Sequence, residues 1–283
     1  MTRTLRWLAA ALLATPTCLA AQTHQLVDVG PYALDVVKAG AGSPALILES
    51  GLGDSLSDWA PVLGDLARLS TVVAYSRPSA APSGGPENYG VKQSVTDLHA
   101  LLATLDVRPP YVLVARSYGG IIARLYTSTY PSEVAGIVLV DATHEQQMRR
   151  WGAIDPRYPQ QFRTYFDSVL KTMPRGAQAA EIRETVRIQA AGAVEGMTPL
   201  PDIPVAVLTS MKADSSAPYV NGTARGHELW RLMHDEWFLR STNGMHIETT
   251  KSGHAIQHDE PGLVVEAVEF VLSRVRSATG GDP

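Results

Sequence analysis

The sequence predicts an α/β protein built on an open, doubly wound, mostly parallel sheet with helices on both faces. Three observations carry that expectation. Short runs rich in Val, Ile and Leu recur along the chain and are nearly continuous in apolar residues, the pattern of strands buried on both faces. They are ALILES (45–50), TVVAYS (71–76), YVLVA (111–115), GIVLV (136–140), IPVAVLTS (203–210) and MHIETT (245–250). Segments of helical periodicity alternate with these runs, as crossover connections of a parallel sheet must. The 283 residues, 45% hydrophobic and 18% charged, suffice for a sizeable core and are too apolar for a disordered chain.

Residues 1–21 stand apart from that pattern. Arg3 and Arg6 precede the apolar stretch WLAAALLA, and TPTCLAAQ supplies small residues around a cut near Ala20 or Ala21. This is the three-part layout of a secretory signal peptide; a buried N-terminal helix is the plainer alternative. The stretch is too short to span a bilayer, which takes about 20 residues, and no other stretch is long enough. Cys18, the single cysteine, lies inside it, so the exported chain is expected to carry no thiol, disulfide or thiolate metal site. The protein is therefore expected to be periplasmic or secreted. The formal net charge of −4 gives no basic excess, which argues against a nucleic-acid partner.

The remaining elements follow in order. HQLVDVG and YALDVVKAG flank Gly30-Pro31 and read as a β-hairpin. VKQSVTDLHALLATL (91–105) places Val95, Leu98, Leu101, Leu102 and Leu105 on one stripe of a helix. GGIIARLYTSTYP (119–131) forms the next helix, and residues 22–144 make the first part of the core. Residues 145–200 contain no convincing strand and carry Trp151, Tyr158, Phe162, Tyr165 and Phe166. A single crossover is usually shorter, so this interval is expected to be a helical lid over one end of the sheet. Residues 201–283 complete the core, with helices in GHELWRLMHDEWFLR and PGLVVEAVEFVLSRV.

Ligands of open α/β sheets bind beyond the carboxyl ends of the strands, and three of those ends carry suitable chemistry. Ser117, in YVLVARSYGG, sits on a crowded strand-to-helix turn where Gly119 and Gly120 give room on one side and Ala115 on the other. A nucleophile elbow at such a turn has the pattern G-x-S-x-G, and here it is A-x-S-x-G; a helix N-cap is the bland alternative. His254, in SGHAIQHDEP, lies after the last strand and is the candidate base, with His258 its nearest rival among eight histidines. His227 and His234 share a helix face, but no third metal ligand accompanies them. The acid that orients the base is open: Asp141 directly follows GIVLV, and Asp214 lies in MKADSS beyond VAVLTS. Asp141 is favoured because a strand end holds a side chain more rigidly than a loop. The N–H groups of Leu52 and Tyr118 are the natural oxyanion donors, with Gly51 allowing close backbone approach.

In this order and at these separations, ESGLGDSLSDW, YVLVARSYGG, PSEVAGIVLVDATHEQ and SGHAIQHDEP resemble the α/β-hydrolase superfamily. AYSRPSAAPSG is similar to its tyrosine-aspartate-arginine segment, with Ser76 in place of the aspartate. The resemblance implies an eight-stranded sheet with an antiparallel start, a Ser–acid–His triad and no cofactor. Carried over by position, Ser117 is the nucleophile, His254 the base, and Leu52 and Tyr118 the oxyanion hole. This chain departs from the pattern at Ala115, at Ser50 (often histidine) and at Arg116 (often histidine). The family most often places its acid after the penultimate strand, which favours Asp214, while members with a stretch like LVLVDATHE use the earlier strand end, which favours Asp141.

The function expected is that of an exported serine hydrolase acting on a small-molecule carboxylic ester or related acyl bond. Gly51, Arg116 and Trp151 are candidate substrate-binding residues, and the aromatic lid argues for an apolar acyl or alcohol group. A cofactor-free haloperoxidase, a C–C hydrolase, an acyltransferase or a non-catalytic binding protein on the same fold are the alternatives. No metal and no obligate protein partner is expected.

Overall fold

The computed structural model describes residues 23–80, 85–173, 175–214, 216 and 218–278. The expected signal segment, with Cys18, lies outside the described residues. Eight strands form one sheet: β1 (Thr23–Asp28), β2 (Ala33–Ala39), β3 (Ala45–Glu49), β4 (Val72–Ser76), β5 (Tyr111–Arg116), β6 (Val134–Val140), β7 (Val205–Ser210) and β8 (Gly244–Thr249). The helices are α1 (Ala60–Leu69), α2 (Val91–Thr104), α3 (Gly119–Thr129), α4 (Gln147–Ile154), α5 (Tyr158–Thr172), α6 (Ala177–Ala191), α7 (Ala224–Phe238), α8 (Ile256–Asp259) and α9 (Pro261–Ala278).

The sheet order is β1-β2-β4-β3-β5-β6-β7-β8. β2 runs antiparallel to both neighbours, and β3 to β8 are parallel to one another. The hairpin forms where Gly30 takes a φ of 117°, a conformation open to glycine. Helix α1 buries Val62, Leu63 and Leu66 on one face, and Pro61 sits in its first turn, where its missing N–H costs nothing.

Strand side chains alternate between two cores. Tyr111, Leu113 and Ala115 of β5 join Ile137 and Leu139 of β6 beneath α2 and α3. Val112, Val114, Val138 and Val140 face the other way, against α1 and α9. Burial of each such Leu, Ile or Val contributes about 1.5–3 kcal/mol, so the sheet is fixed from both sides and its strand ends are rigid platforms.

The chain passes from β3 outward to β4 and then back across to β5, so the winding direction reverses between β3 and β5. Open sheets present their ligand crevice at such a reversal. Gly51 follows β3 and Ser117 follows β5, on either side of it. Helices α4, α5 and α6 fill the chain between β6 and β7, and no strand lies among their described residues. Met148 and Trp151 of α4 and Tyr158 of α5 pack with Trp230 and Met233 of α7 in a small core of their own.

Candidate active site

Ser117 occupies the turn between β5 and α3 with a φ of 53°, a strained value for a residue with a side chain, costing about 1–3 kcal/mol. The surroundings hold it there. Its N–H donates to the Val140 carbonyl at 3.2 Å, and its carbonyl accepts from Gly120 N at 2.9 Å and Thr143 N at 2.8 Å. A Cβ on Gly119 would stand 2.4 Å from the Glu49 carbonyl oxygen, and one on Gly120 would stand 2.5 Å from the Ala142 Cβ. The two glycines therefore let α3 press against the ends of β3 and β6. Ala115 points the other way: it is fully buried in the core under α2 and α3, where a methyl group fills space that glycine would leave.

The serine hydroxyl lies 2.9 Å from His254 Nε2, and His254 Nδ1 lies 2.6 Å from Asp141 Oδ2. A carboxylate at Nδ1 keeps the proton on that nitrogen and leaves Nε2 as the acceptor of the serine proton. Asp141, like Ser117, has a positive φ, 42°. Its other oxygen, Oδ1, accepts from the Ser210 N–H at 3.0 Å and from Trp230 Nε1 at 2.8 Å. Burial pushes the Asp141 carboxyl up, but the hydrogen bond and charge of His254, with His234 and the Ser210 N–H, outweigh it and hold the group below its ordinary value. Asp214 is elsewhere in character: exposed, and engaged with Ser216 N at 2.8 Å and Ser216 Oγ at 2.7 Å.

The loop after β3 approaches the same point. Leu52 and Tyr118 line the cavity with Ser117, and their N–H groups donate to no acceptor in the protein among the described residues. Arg116 and Gly51, expected to touch substrate, do not line the cavity. The Arg116 guanidinium reaches Asp54 at 2.6 Å and Asp58 at 3.1 Å. A Cβ on Gly51 would stand 2.5 Å from Asp54 Oδ2 and 3.0 Å from Arg116 Nη1, so the glycine makes room for that ion pair. Asp58 in turn accepts from Gln257 Nε2 at 2.9 Å and pairs with His258 Nε2 at 3.1 Å. One carboxylate thus ties the Leu52 loop to the loop carrying His254.

Beneath the Leu52 loop lies a charged cluster. Arg77 is buried with Glu49, at the end of β3, and Glu181 of α6. It pairs with Glu49 and, at 2.7 Å, with Glu181, and it donates to the carbonyls of Ser50 at 2.9 Å and Gly51 at 2.6 Å. Burial pushes the Glu49 carboxyl up against the opposing charge of Arg77.

Above Ser117 opens a cavity of about 530 Å³. Trp151, Tyr158, Phe162, Tyr165 and Phe166 wall it on the side of α4 and α5. Trp151 stacks on Trp230 with ring centroids 5.2 Å apart and donates to the Gly226 carbonyl at 2.9 Å. His227 and His234 do not converge: His227 Nδ1 donates to the Ser210 carbonyl at 2.9 Å, while His234 bridges the Ala142 carbonyl at 2.9 Å and Thr209 at 2.6 Å.

Two buried histidines set an acid limit on the fold. Burial lowers His234 from 6.5 to about 3, and burial, opposed in part by Glu145, lowers His144 from 6.5 to about 4. Between those values and 6.5 the unfolded chain binds protons that the folded chain does not, so stability is complete above pH 6.5 and falls as pH drops. Each histidine contributes a slope of about 1.4 kcal/mol per pH unit inside its window. Urea midpoints measured from about pH 7.5 to about 4.5 should fall accordingly, and His144→Phe should flatten the curve by one proton; a level wild-type curve over that range contradicts this account.

A profile described as alpha/beta hydrolase fold matches residues 44–225. The chain belongs to the α/β-hydrolase family. Among its relatives, this hydrolase-family chain is 24% identical over 232 residues to the uncharacterised protein YqjL of Bacillus subtilis (strain 168), covering 82% of this chain and 84% of that one. It superposes on E-2-(acetamidomethylene)succinate hydrolase with a TM-score of 0.61 at 17% identity, over 89% of this chain and 100% of that one. Epoxide hydrolase CorEH gives a TM-score of 0.59 at 16% identity, over 90% and 100%. At these identities the likeness is one of fold, and α/β-hydrolase folds host several chemistries.

Proposed function

We propose that this α/β-hydrolase cleaves a carboxylic ester through an acyl-enzyme on Ser117. The observation that carries the reading is the unbroken hydrogen-bond chain from Ser117 Oγ through His254 to Asp141, at 2.9 and 2.6 Å, at the foot of an aromatic-walled cavity. Ser117 Oγ attacks the ester carbonyl as His254 Nε2 takes its proton. The oxyanion accepts from the N–H groups of Leu52 and Tyr118, which have no protein acceptor to release among the described residues. His254 passes its proton to the departing alcohol. Water then attacks the acyl-enzyme, gives a proton to Nε2, and the acid leaves as Ser117 regains its hydrogen. Asp141 keeps the imidazole in the required tautomer and stabilises its charged form.

The wall of Trp151, Tyr158, Phe162 and Phe166 supports an apolar acyl or alcohol group of small to medium size. The signal pattern of residues 1–21 supports export, which fractionation of expressing cells would test. The hydrolytic reading is tested by a fluorophosphonate probe followed by peptide mapping. One adduct on Ser117, absent in Ser117→Ala, is the expected result; no adduct on folded wild-type protein would falsify it.

A further inference from the structure

One part of the cavity lining is chemically unlike the aromatic wall. The segment from the end of β7 into α7 contributes Lys212, Asn221 and His227. Lys212 is exposed at the cavity mouth, and its ammonium has no ion-pair or hydrogen-bond partner among the described residues. Asn221 Oδ1 is buried without a partner among the described residues, a costly condition when nothing relieves it. An amide that turns its NH₂ toward a bound anion relieves it. His227 donates from Nδ1 to the Ser210 carbonyl at 2.9 Å, which fixes its ring at the edge of this segment. Among the described residues the single carboxylate in the lining is Asp141, and both its oxygens are engaged by His254, Trp230 and the Ser210 N–H. No other acidic side chain among the described lining residues competes for the lysine.

We propose that this end of the cavity binds a carboxylate carried by the substrate, with Lys212 as counter-ion and the Asn221 amide as hydrogen-bond donor. For the ester the inference rests on the hydrolytic reading above; for the carboxylate it does not. The substrate class is then an ester whose apolar body ends in a free carboxylate. One lysine, with no arginine among the described lining residues, matches a single negative charge better than a doubly charged phosphate monoester. Composition offers no hint of this, because one unpaired cation at the mouth of an apolar cavity is not a basic patch.

Two measurements test it. The first compares kcat/KM for mono-p-nitrophenyl adipate and p-nitrophenyl hexanoate, esters of equal acyl length with and without a terminal carboxylate. The second measures, by calorimetry on the Ser117→Ala protein, the binding of 3-phenylpropanoate and of its neutral amide. In both, the carboxylate compound should be favoured by about tenfold, or about 1.4 kcal/mol. Lys212→Met should erase the preference, Lys212→Arg should retain part of it, and Lys171→Met on exposed helix surface should leave it intact. Equal treatment of each pair by the wild-type cavity, or a preference that survives Lys212→Met, overturns the inference. Turnover of both esters without preference leaves the hydrolytic reading standing. If neither ester is cleaved and Ser117 takes no probe, that reading fails and the binding measurement alone decides the carboxylate.

Discussion

Asp141→Asn is expected to lower kcat on a p-nitrophenyl ester by about 10⁴-fold, and Asp214→Asn to leave it within about twofold, the first figure being that of the same change in a well-studied serine protease. The geometry says why an isosteric change should be so costly. Oδ1 of Asp141 is held by two donors, the Ser210 N–H at 3.0 Å and Trp230 Nε1 at 2.8 Å. An asparagine must turn its carbonyl oxygen toward them, which turns its NH₂ toward His254 Nδ1. That nitrogen then has to accept, the imidazole proton moves to Nε2, and Nε2 can no longer take the proton of Ser117. Nothing comparable follows at Asp214, whose carboxylate only closes its own turn through Ser216. Steady-state kinetics on the two variants, with circular dichroism to establish that both fold, separates the aspartates. Equal losses in both, or the larger loss in Asp214→Asn, would remove Asp141 from the proposed triad.

Arg77→Met is expected to destabilise the fold by about 3–5 kcal/mol, the usual consequence of stripping one partner from a buried ion pair. Glu49 and Glu181 would be left facing each other without a cation, both shielded from water. The change also removes the donors that hold the carbonyls of Ser50 and Gly51, immediately before the Leu52 N–H. Activity should therefore fall even in the fraction that remains folded, chiefly in kcat, because the proposed oxyanion donor loses its support. Urea denaturation measures the first effect. The double variant Arg77→Met with Glu181→Gln, which buries one fewer charge, should recover part of the stability. A single variant as stable as the wild type would show that the cluster is not what holds this loop.

The fold was legible because its signals are local. Each apolar run of the sequence closes into a strand, and the helices with a full stripe form where the stripe is. Ser117 and His254 could be singled out because each follows a strand in a short, chemically telling context. The acid could not be settled that way, since two aspartates follow two strands; the choice depends on which strand end the His254 loop reaches over. Arg116 and Gly51 show the limit of position alone. Both sit beside the proposed reacting groups in sequence, yet Arg116 pairs with Asp54 and Asp58, far from it along the chain, and Gly51 makes room for that pair. Trp230 and Arg77 act through partners equally remote, Asp141 and Glu181, and no pattern within one segment announces such pairings.

The His254 side chain is 50% exposed to solvent. A base so open to the bulk has water at hand as soon as the alcohol departs, with no channel to deliver it. In the proposed mechanism this fixes the fate of the acyl group: it is released as free acid and is not stored for a slower acceptor. Added alcohols would have to compete with water at its full bulk concentration, so transesterification should stay a minor product until an acceptor binds in the cavity itself.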